Sequence, residues 1–150
     1  VDQIQNTVGG WRAKTTWEML DAAAYGNTSE ALLQLDRLLQ AGQVPVALFG
    51  QIAWFFRRFT VATRAYERME RDNKRRPPLK EALRQAGFRN NNRALDEAAQ
   101  QLKKIGRRRA GLLANWLLEL DLALKGTHST DGRSRFALEQ FLLRLSPDVS

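Results

Sequence analysis

Apolar residues recur at helical spacing along most of this 150-residue chain, and this repeat constrains the fold more than any other feature. The clearest case is the stretch 45–71, where apolar residues form two adjoining strips: Phe49, Ile52, Phe56, Phe59, Thr63 and Tyr66 in one, and Leu48, Phe55, Ala62 and Met69 in the other. A helix with two apolar strips is covered on two sides, so this helix is predicted to be central to a bundle. The chain has no run of alternating β-branched residues bounded by turns, which argues against strands.

Cap and turn residues divide the rest of the chain into further helices. A short segment at 2–8 and a turn at the "GGW" of 9–11 precede a predicted helix that starts at Thr15 or Thr16 and ends near Tyr25. Further helices are predicted over 28–42, 77–88, 90–106, 107–125 and 133–145. The prediction is an all-α bundle of six or seven helices in one domain, with a lead-in over 1–14 and the bundle over 15–146. The chain starts at Val1 without a methionine, and we expect it to be the C-terminal fragment of a longer protein.

Residue types that enzyme and metal sites need are scarce in this sequence. Cysteine is absent, and the only histidine, His128, lies in a predicted loop between Gly126 and Gly132. A lone histidine cannot form a multi-histidine metal site or a histidine-paired nucleophile. The chain also lacks a Gly-rich phosphate loop after a strand. We therefore expect no catalytic residue, no metal site, no cofactor and no small-molecule substrate, and we expect that the chain is not an enzyme.

The sequence also carries no signal for export or for membrane insertion. Its longest apolar blocks, 44–56 and 112–124, are interrupted by polar residues such as Gln51, Asn115 and Glu119. Both blocks fall short of the roughly 20 residues that a membrane-spanning helix needs. We expect a soluble cytoplasmic protein without a membrane partner.

Positive charge is concentrated in the middle of the chain. Residues 57–109 hold 17 Lys and Arg against 6 Asp and Glu, whereas the rest holds 7 against 10. Such a field attracts nucleic acid or acidic protein surfaces, and it is also compatible with a merely solvated face. The candidate contact residues are Arg57, Arg58, Arg75, Arg76, Lys103, Lys104, Arg107, Arg108 and Arg109. Direct DNA contact by some of them is one reading, and a partner-facing or solvated surface is the other.

One acid–base pair stands out in the leucine-rich stretch "NWLLELDLALKG". Asp121 lies in the last full turn of a predicted helix, with Lys125 four residues later and Gly126 at the end. An acid near a helix C-terminus opposes the helix dipole, and a lysine four residues on offsets this cost. The pair is interpreted either as a structural pair or side-chain anchor to a neighbouring helix, or as an exposed contact with another subunit.

The order of these features resembles the C-terminal domain of the bacterial DNA polymerase III delta subunit, part of the sliding-clamp loader. Residues 19–59 hold a small-residue helix, a "GN" turn, a leucine-rich helix, a "G-x-x-P" entry and a family-like "Q-x-x-x-F-R" segment at Gln51, Phe55 or Phe56, and Arg57. The pattern "L-x-x-L-x-x-x-D-x-x-L-K-G" is matched at Leu113, Trp116 or Leu117, Asp121, Leu124, Lys125 and Gly126, and the closing "FALEQFLLRL" resembles the last helix of the family. The sequence departs from the family over 71–109, where it is unusually basic.

This resemblance implies a non-catalytic oligomerisation domain that joins the helical domains of the other loader subunits in a collar. The parent complex would place the sliding clamp on primed DNA, with polymerase activity and ATP-driven loading in other subunits. The sliding clamp itself would be contacted through N-terminal domains that precede Val1. Trp11, Trp17, Trp54 and Trp116 are candidates for the interface, or else for the core of the domain itself. The alternative function is a stand-alone basic helical module that binds nucleic acid.

Overall fold

Helices account for nearly all of the computed structural model, which describes residues 2–73, 76–126 and 131–147, without the side chains of 2–9 and 131. Six helices and no strand occur in these ranges: α1 (Asp2–Ala24), α2 (Thr28–Gln40), α3 (Pro45–Asn73), α4 (Leu79–Gln85), α5 (Asn92–Lys125) and α6 (Asp131–Arg144). The predicted all-α bundle of six or seven helices is confirmed. Arg75 and His128 lie outside the described residues.

Helix α3 lies at the centre, as its two apolar strips predict. Phe56 and Phe59 are fully buried, and the ring of Phe56 lies 5.3 Å from that of Phe141 in α6. Phe59 contacts Phe88, which follows α4, with ring centroids 5.2 Å apart. On the α5 side, the hydroxyl of Thr60 donates a 3.1 Å hydrogen bond to the carbonyl of Ala110. One helix therefore organises contacts to most of the others.

The start of α1 differs from the sequence prediction. The "GGW" stretch was expected to form a turn before a helix at Thr15 or Thr16, but the helix runs unbroken through it. A glycine inside a helix costs only about 1 kcal/mol relative to alanine, which tertiary contacts can offset. Such contacts begin early in α1, because the Arg12 guanidinium donates a 2.9 Å hydrogen bond to the carbonyl of Ala41 at the end of α2.

Helix α5 contains a sharp break at Gly106, where φ is 82° and ψ is 156°. This backbone conformation is essentially restricted to glycine. The break divides α5 where the sequence predicts two helices to meet, after the "KKIG" segment. The two parts of α5 therefore take different directions over the surface of α3.

Candidate interaction surfaces

An apolar groove lies between the second half of α5 and α6. It has a volume of about 550 Å³, and its apolar lining residues are Trp116, Leu120, Leu122, Ala123, Phe136, Ala137 and Phe141. The side chain of Leu122 is 65% exposed and that of Phe136 is 62% exposed. Large apolar side chains exposed together in a groove mark binding sites more often than single exposed leucines do.

Charged side chains form the rim of this groove. Arg144 of α6 donates a hydrogen bond to Glu119 of α5, and its guanidinium carbon lies 5.6 Å from the ring centroid of Trp116. Arg133 lines the same groove. An apolar centre with a polar, solvent-accessible rim is the usual anatomy of a protein–protein interface.

The Asp121–Lys125 pair lies next to this groove. Its Lys125 Nζ and Asp121 Oδ1 are 2.9 Å apart, with the lysine well exposed and the aspartate partly buried. Oδ1 is shielded from water and has no hydrogen bond of good geometry, so the ammonium contact is electrostatic. Gly126 ends the helix with φ −63° and ψ 144°, a conformation open to any residue. The two charges therefore pair within one helix, and among the described residues no hydrogen bond joins Asp121 Oδ1 to a neighbouring helix.

A second surface is the outer face of α3. Exposed residues follow one another there at spacings of three and four, and they are Trp54, Arg57, Val61, Arg64, Arg68 and Arg71. Among the described residues, none of these four arginines has an ion-pair partner, so we call Arg57, Arg64, Arg68 and Arg71 the α3 arginine stripe. Of these four arginines, only Arg57 is among the contact residues predicted from the sequence, because those residues belong to clusters of adjacent basic residues. The helical spacing of the other three would have identified them.

A third surface is a cavity of about 560 Å³ at the break in α5. Its walls come from the second half of α3, from residues 76–79 and from α5 around Gly106. Of the candidate basic residues, Arg76, Lys103 and Arg107 line it. Lys104 and Arg108 are exposed but do not line it, although each directly follows one of these residues in the sequence.

Arg58 and Arg109 do not join any of these basic surfaces. The guanidinium carbon of Arg58 lies 4.2 Å from the Trp54 ring centroid and 4.3 Å from that of Phe88, so it is held between two aromatic rings. Its Nε is buried without a hydrogen bond. Arg109 is buried. The candidate set of the sequence analysis is therefore split by the fold into exposed, cavity-lining and buried members.

Burial around Arg58 also affects titration. Desolvation lowers the pKa of the Arg58 guanidinium, an effect that the nearby Asp21 carboxylate opposes. Burial likewise raises the pKa of the Asp21 carboxyl, which accepts a 3.0 Å hydrogen bond from the Gln101 amide. Burial again, with the charges of Glu97 and Asp21, raises the pKa of Tyr25. These groups link α1, α3 and α5, and their contacts are those of a packed polar cluster.

Three of the four tryptophans are exposed. The rings of Trp17 and Trp54 meet edge to face at 6.0 Å, and each is about half exposed. Trp11 is also exposed, whereas Trp116 is partly buried against the core. The alternative of a place in the core of the domain is therefore wrong for Trp11, Trp17 and Trp54.

In the described part of the chain, no group of three or more His, Cys, Asp or Glu residues is placed to hold a metal ion. No helix in the described ranges is long and apolar enough to cross a membrane. Comparison of the chain with protein-family models, curated proteins and solved structures gives no match.

Proposed function

We propose that this chain is a non-catalytic assembly domain that binds helical domains of other subunits, as the collar domain of a clamp-loader delta-like subunit does. The observation that carries the proposal is the apolar groove between α5 and α6, with Leu122 and Phe136 exposed at its mouth. A helix from a neighbouring subunit could bury this surface, since helical partners commonly pack apolar side chains into such grooves.

The resemblance to the delta family supports the same surface. The pattern residues Asp121, Lys125 and Gly126 lie at the end of the helix that forms one wall of the groove, and the family-like "FALEQFLLRL" forms the other wall. Contacts in a hetero-oligomeric ring join different patches on different chains, so this domain needs no symmetric contact with itself.

Negative charge in the groove is expected to weaken assembly. We expect Leu122→Glu and Phe136→Glu each to raise the Kd for the C-terminal domains of the other loader subunits of the same organism by about 10- to 100-fold, since residues at the centre of an interface often contribute about 2 kcal/mol or more. Sedimentation velocity and calorimetry would measure this, after nuclease treatment to remove DNA-mediated association.

Val44→Glu is the matched control for these variants. Val44 is 58% exposed and lies outside the groove, so the same change of charge and polarity there is expected to leave the Kd unchanged. Absence of binding by the unaltered chain to every loader subunit would refute the assembly proposal. Equal weakening by all three variants would refute the placement of the interface in the groove.

The α3 arginine stripe favours a second candidate function, nucleic-acid binding. Four arginines span fifteen residues of one helix, so the first and the last are about 21 Å apart along its axis at 1.5 Å per residue. A line of cations of this length can follow the phosphates of a nucleic-acid strand without reading its sequence. Association through such a surface falls steeply as salt concentration rises, unlike association through the apolar groove.

Loss of two stripe arginines is expected to change the salt dependence of DNA binding. We expect Arg64→Gln with Arg68→Gln to reduce the slope of log K against log salt by about 2, since each phosphate contact contributes roughly 0.9. Fluorescence anisotropy with a primed duplex at several salt concentrations measures the slope. Lys14→Gln with Arg93→Gln removes the same charge elsewhere and is the control. An unchanged slope in the stripe variant would exclude this surface.

A further inference from the structure

The cavity at the break in α5 combines two kinds of wall. Its cationic side carries the side chains of Arg76, Lys103 and Arg107. The rest of its lining includes Tyr66 and Leu102 together with a short apolar run, Pro77, Pro78 and Leu79. The cavity is open to solvent on one side, and its volume of about 560 Å³ lies within the range of roughly 300–1,000 Å³ that small-molecule sites occupy.

The cationic side carries more positive charge than its neighbours neutralise. Arg107 forms an ion pair with Glu70 of α3, with Nη2 and Oε2 3.3 Å apart. Among the described residues, no carboxylate lies within ion-pair distance of Arg76 or Lys103, and none lines the cavity. A neighbouring tyrosine ring helps to place the Arg107 guanidinium, which lies 5.3 Å from the centroid of Tyr66. The cavity therefore offers two unneutralised cations and one shared cation to an anion.

The backbone break is part of the same cavity. Gly106 lines it, three residues after Lys103 and directly before Arg107. A regular helix has residues three and four apart on one face, so an unbroken α5 would hold a fixed spacing between these two cations. The non-helical φ and ψ of Gly106 instead reorient the second half of α5, and both cations still reach one cavity.

The two walls together indicate one class of ligand. An inorganic anion alone would leave the apolar wall uncovered, and an uncharged apolar molecule would leave the cations without a partner. A phosphate is bound well by arginine and lysine, and a planar base packs on aromatic and apolar side chains. We infer that the cavity binds a nucleotide, with its phosphate at Arg76, Lys103 and Arg107 and its base against Tyr66, Leu102 and the apolar run. The ligand is either a free nucleotide or the phosphorylated end of a nucleic-acid strand.

This binding site is independent of the assembly groove, which lies on the other half of α5. It also differs from the α3 arginine stripe, because the stripe would follow a strand along its length whereas the cavity receives one nucleotide. Failure of the site would therefore leave the proposed assembly function standing, and the two can be tested in the same preparations.

The test uses adjacent residues with equal charge and different placement. Binding of the 150-residue chain to four probes would be measured: deoxyadenosine monophosphate, a short single-stranded oligonucleotide with a 5′-phosphate, the same strand with a 5′-hydroxyl, and inorganic phosphate. We expect Lys103→Gln with Arg107→Gln to weaken binding of a nucleotide probe at least 10-fold. The control, Lys104→Gln with Arg108→Gln, removes the same charge beside the cavity and is expected to change binding less than 3-fold.

The probes distinguish the two sources of the nucleotide. Binding of the monophosphate as tight as that of the phosphorylated strand supports a free nucleotide. Binding of the 5′-phosphorylated strand alone, in preference to its 5′-hydroxyl form, supports a strand end.

Three results would overturn the inference. They are equal weakening by both double variants, equal affinity for inorganic phosphate and for the nucleotide probes, and no binding of any probe. Thermal unfolding and subunit association of the same variants, both expected to be unchanged, show that the effect is confined to the cavity.

Discussion

Replacement of Phe56 by alanine is expected to lower the free energy of unfolding by about 3–5 kcal/mol, which is the usual cost of removing a buried aromatic ring. Phe56 has no exposed surface and lies in the middle of α3. Its ring centroid is 4.9 Å from that of Phe55, 6.2 Å from that of Phe59 and 5.3 Å from that of Phe141. Removal of the ring would leave a cavity that cannot close, because Phe55 and Phe59 of α3 and Phe141 of α6 are held around it.

The matched control is Phe136→Ala, the same substitution at an exposed site. Phe136 belongs to the mouth of the groove, so its loss is expected to change the free energy of unfolding by no more than about 0.5 kcal/mol. Urea unfolding followed by circular dichroism measures the free energy of unfolding of both variants. In thermal unfolding, the melting temperature should fall by roughly 2–4 °C for each kcal/mol lost in a chain of this size. A cost below about 1 kcal/mol at Phe56, or equal costs at both sites, would contradict the placement of α3 at the centre of the core.

The helices of the core could be predicted because buried helical positions carry apolar residues that recur at spacings of three and four in the sequence. The two apolar strips of α3 indicated its central position, and the buried Phe56 and Phe59 occupy that position. The start of α1 could not be predicted in the same way. Two adjacent glycines are an unfavourable local signal, and the contact of Arg12 with the distant Ala41 that favours a helix nearby is not visible in sequence spacing.

The interaction surfaces were predicted less completely than the core. Charge density identified the basic middle of the chain, but adjacent positions on a helix face different directions, and the fold separates Arg57 from Arg58 and Lys103 from Lys104. The apolar groove was not predicted, because leucines cover nearly the whole circumference of the helix that carries Leu122, so apolar content alone does not separate its buried residues from its exposed ones. Only the tertiary packing of α6 on α5 determines which leucines and phenylalanines remain exposed.

Gly106 is the position where the backbone of α5 depends most on one residue. Its φ of 82° and ψ of 156° lie in a region that side chains with a Cβ atom do not adopt readily, although no other atom lies near the place where a Cβ would be. We expect Gly106→Ala to lower the free energy of unfolding by about 1–3 kcal/mol through backbone strain alone. If α5 straightens instead, contacts across the break are lost, and the cavity wall around Gly106 changes shape.

The control for this prediction is another glycine of the same helix. Gly111 is exposed, has helical backbone and has open space around it, so Gly111→Ala is expected to raise the free energy of unfolding by about 0.5–1 kcal/mol. A lower free energy of unfolding for Gly106→Ala and a higher one for Gly111→Ala, five residues away, would show that the native state contains the break. A stabilising Gly106→Ala, measured by urea unfolding, would mean that α5 is continuous in solution. The cavity proposed to bind a nucleotide would then lose the backbone geometry that forms it.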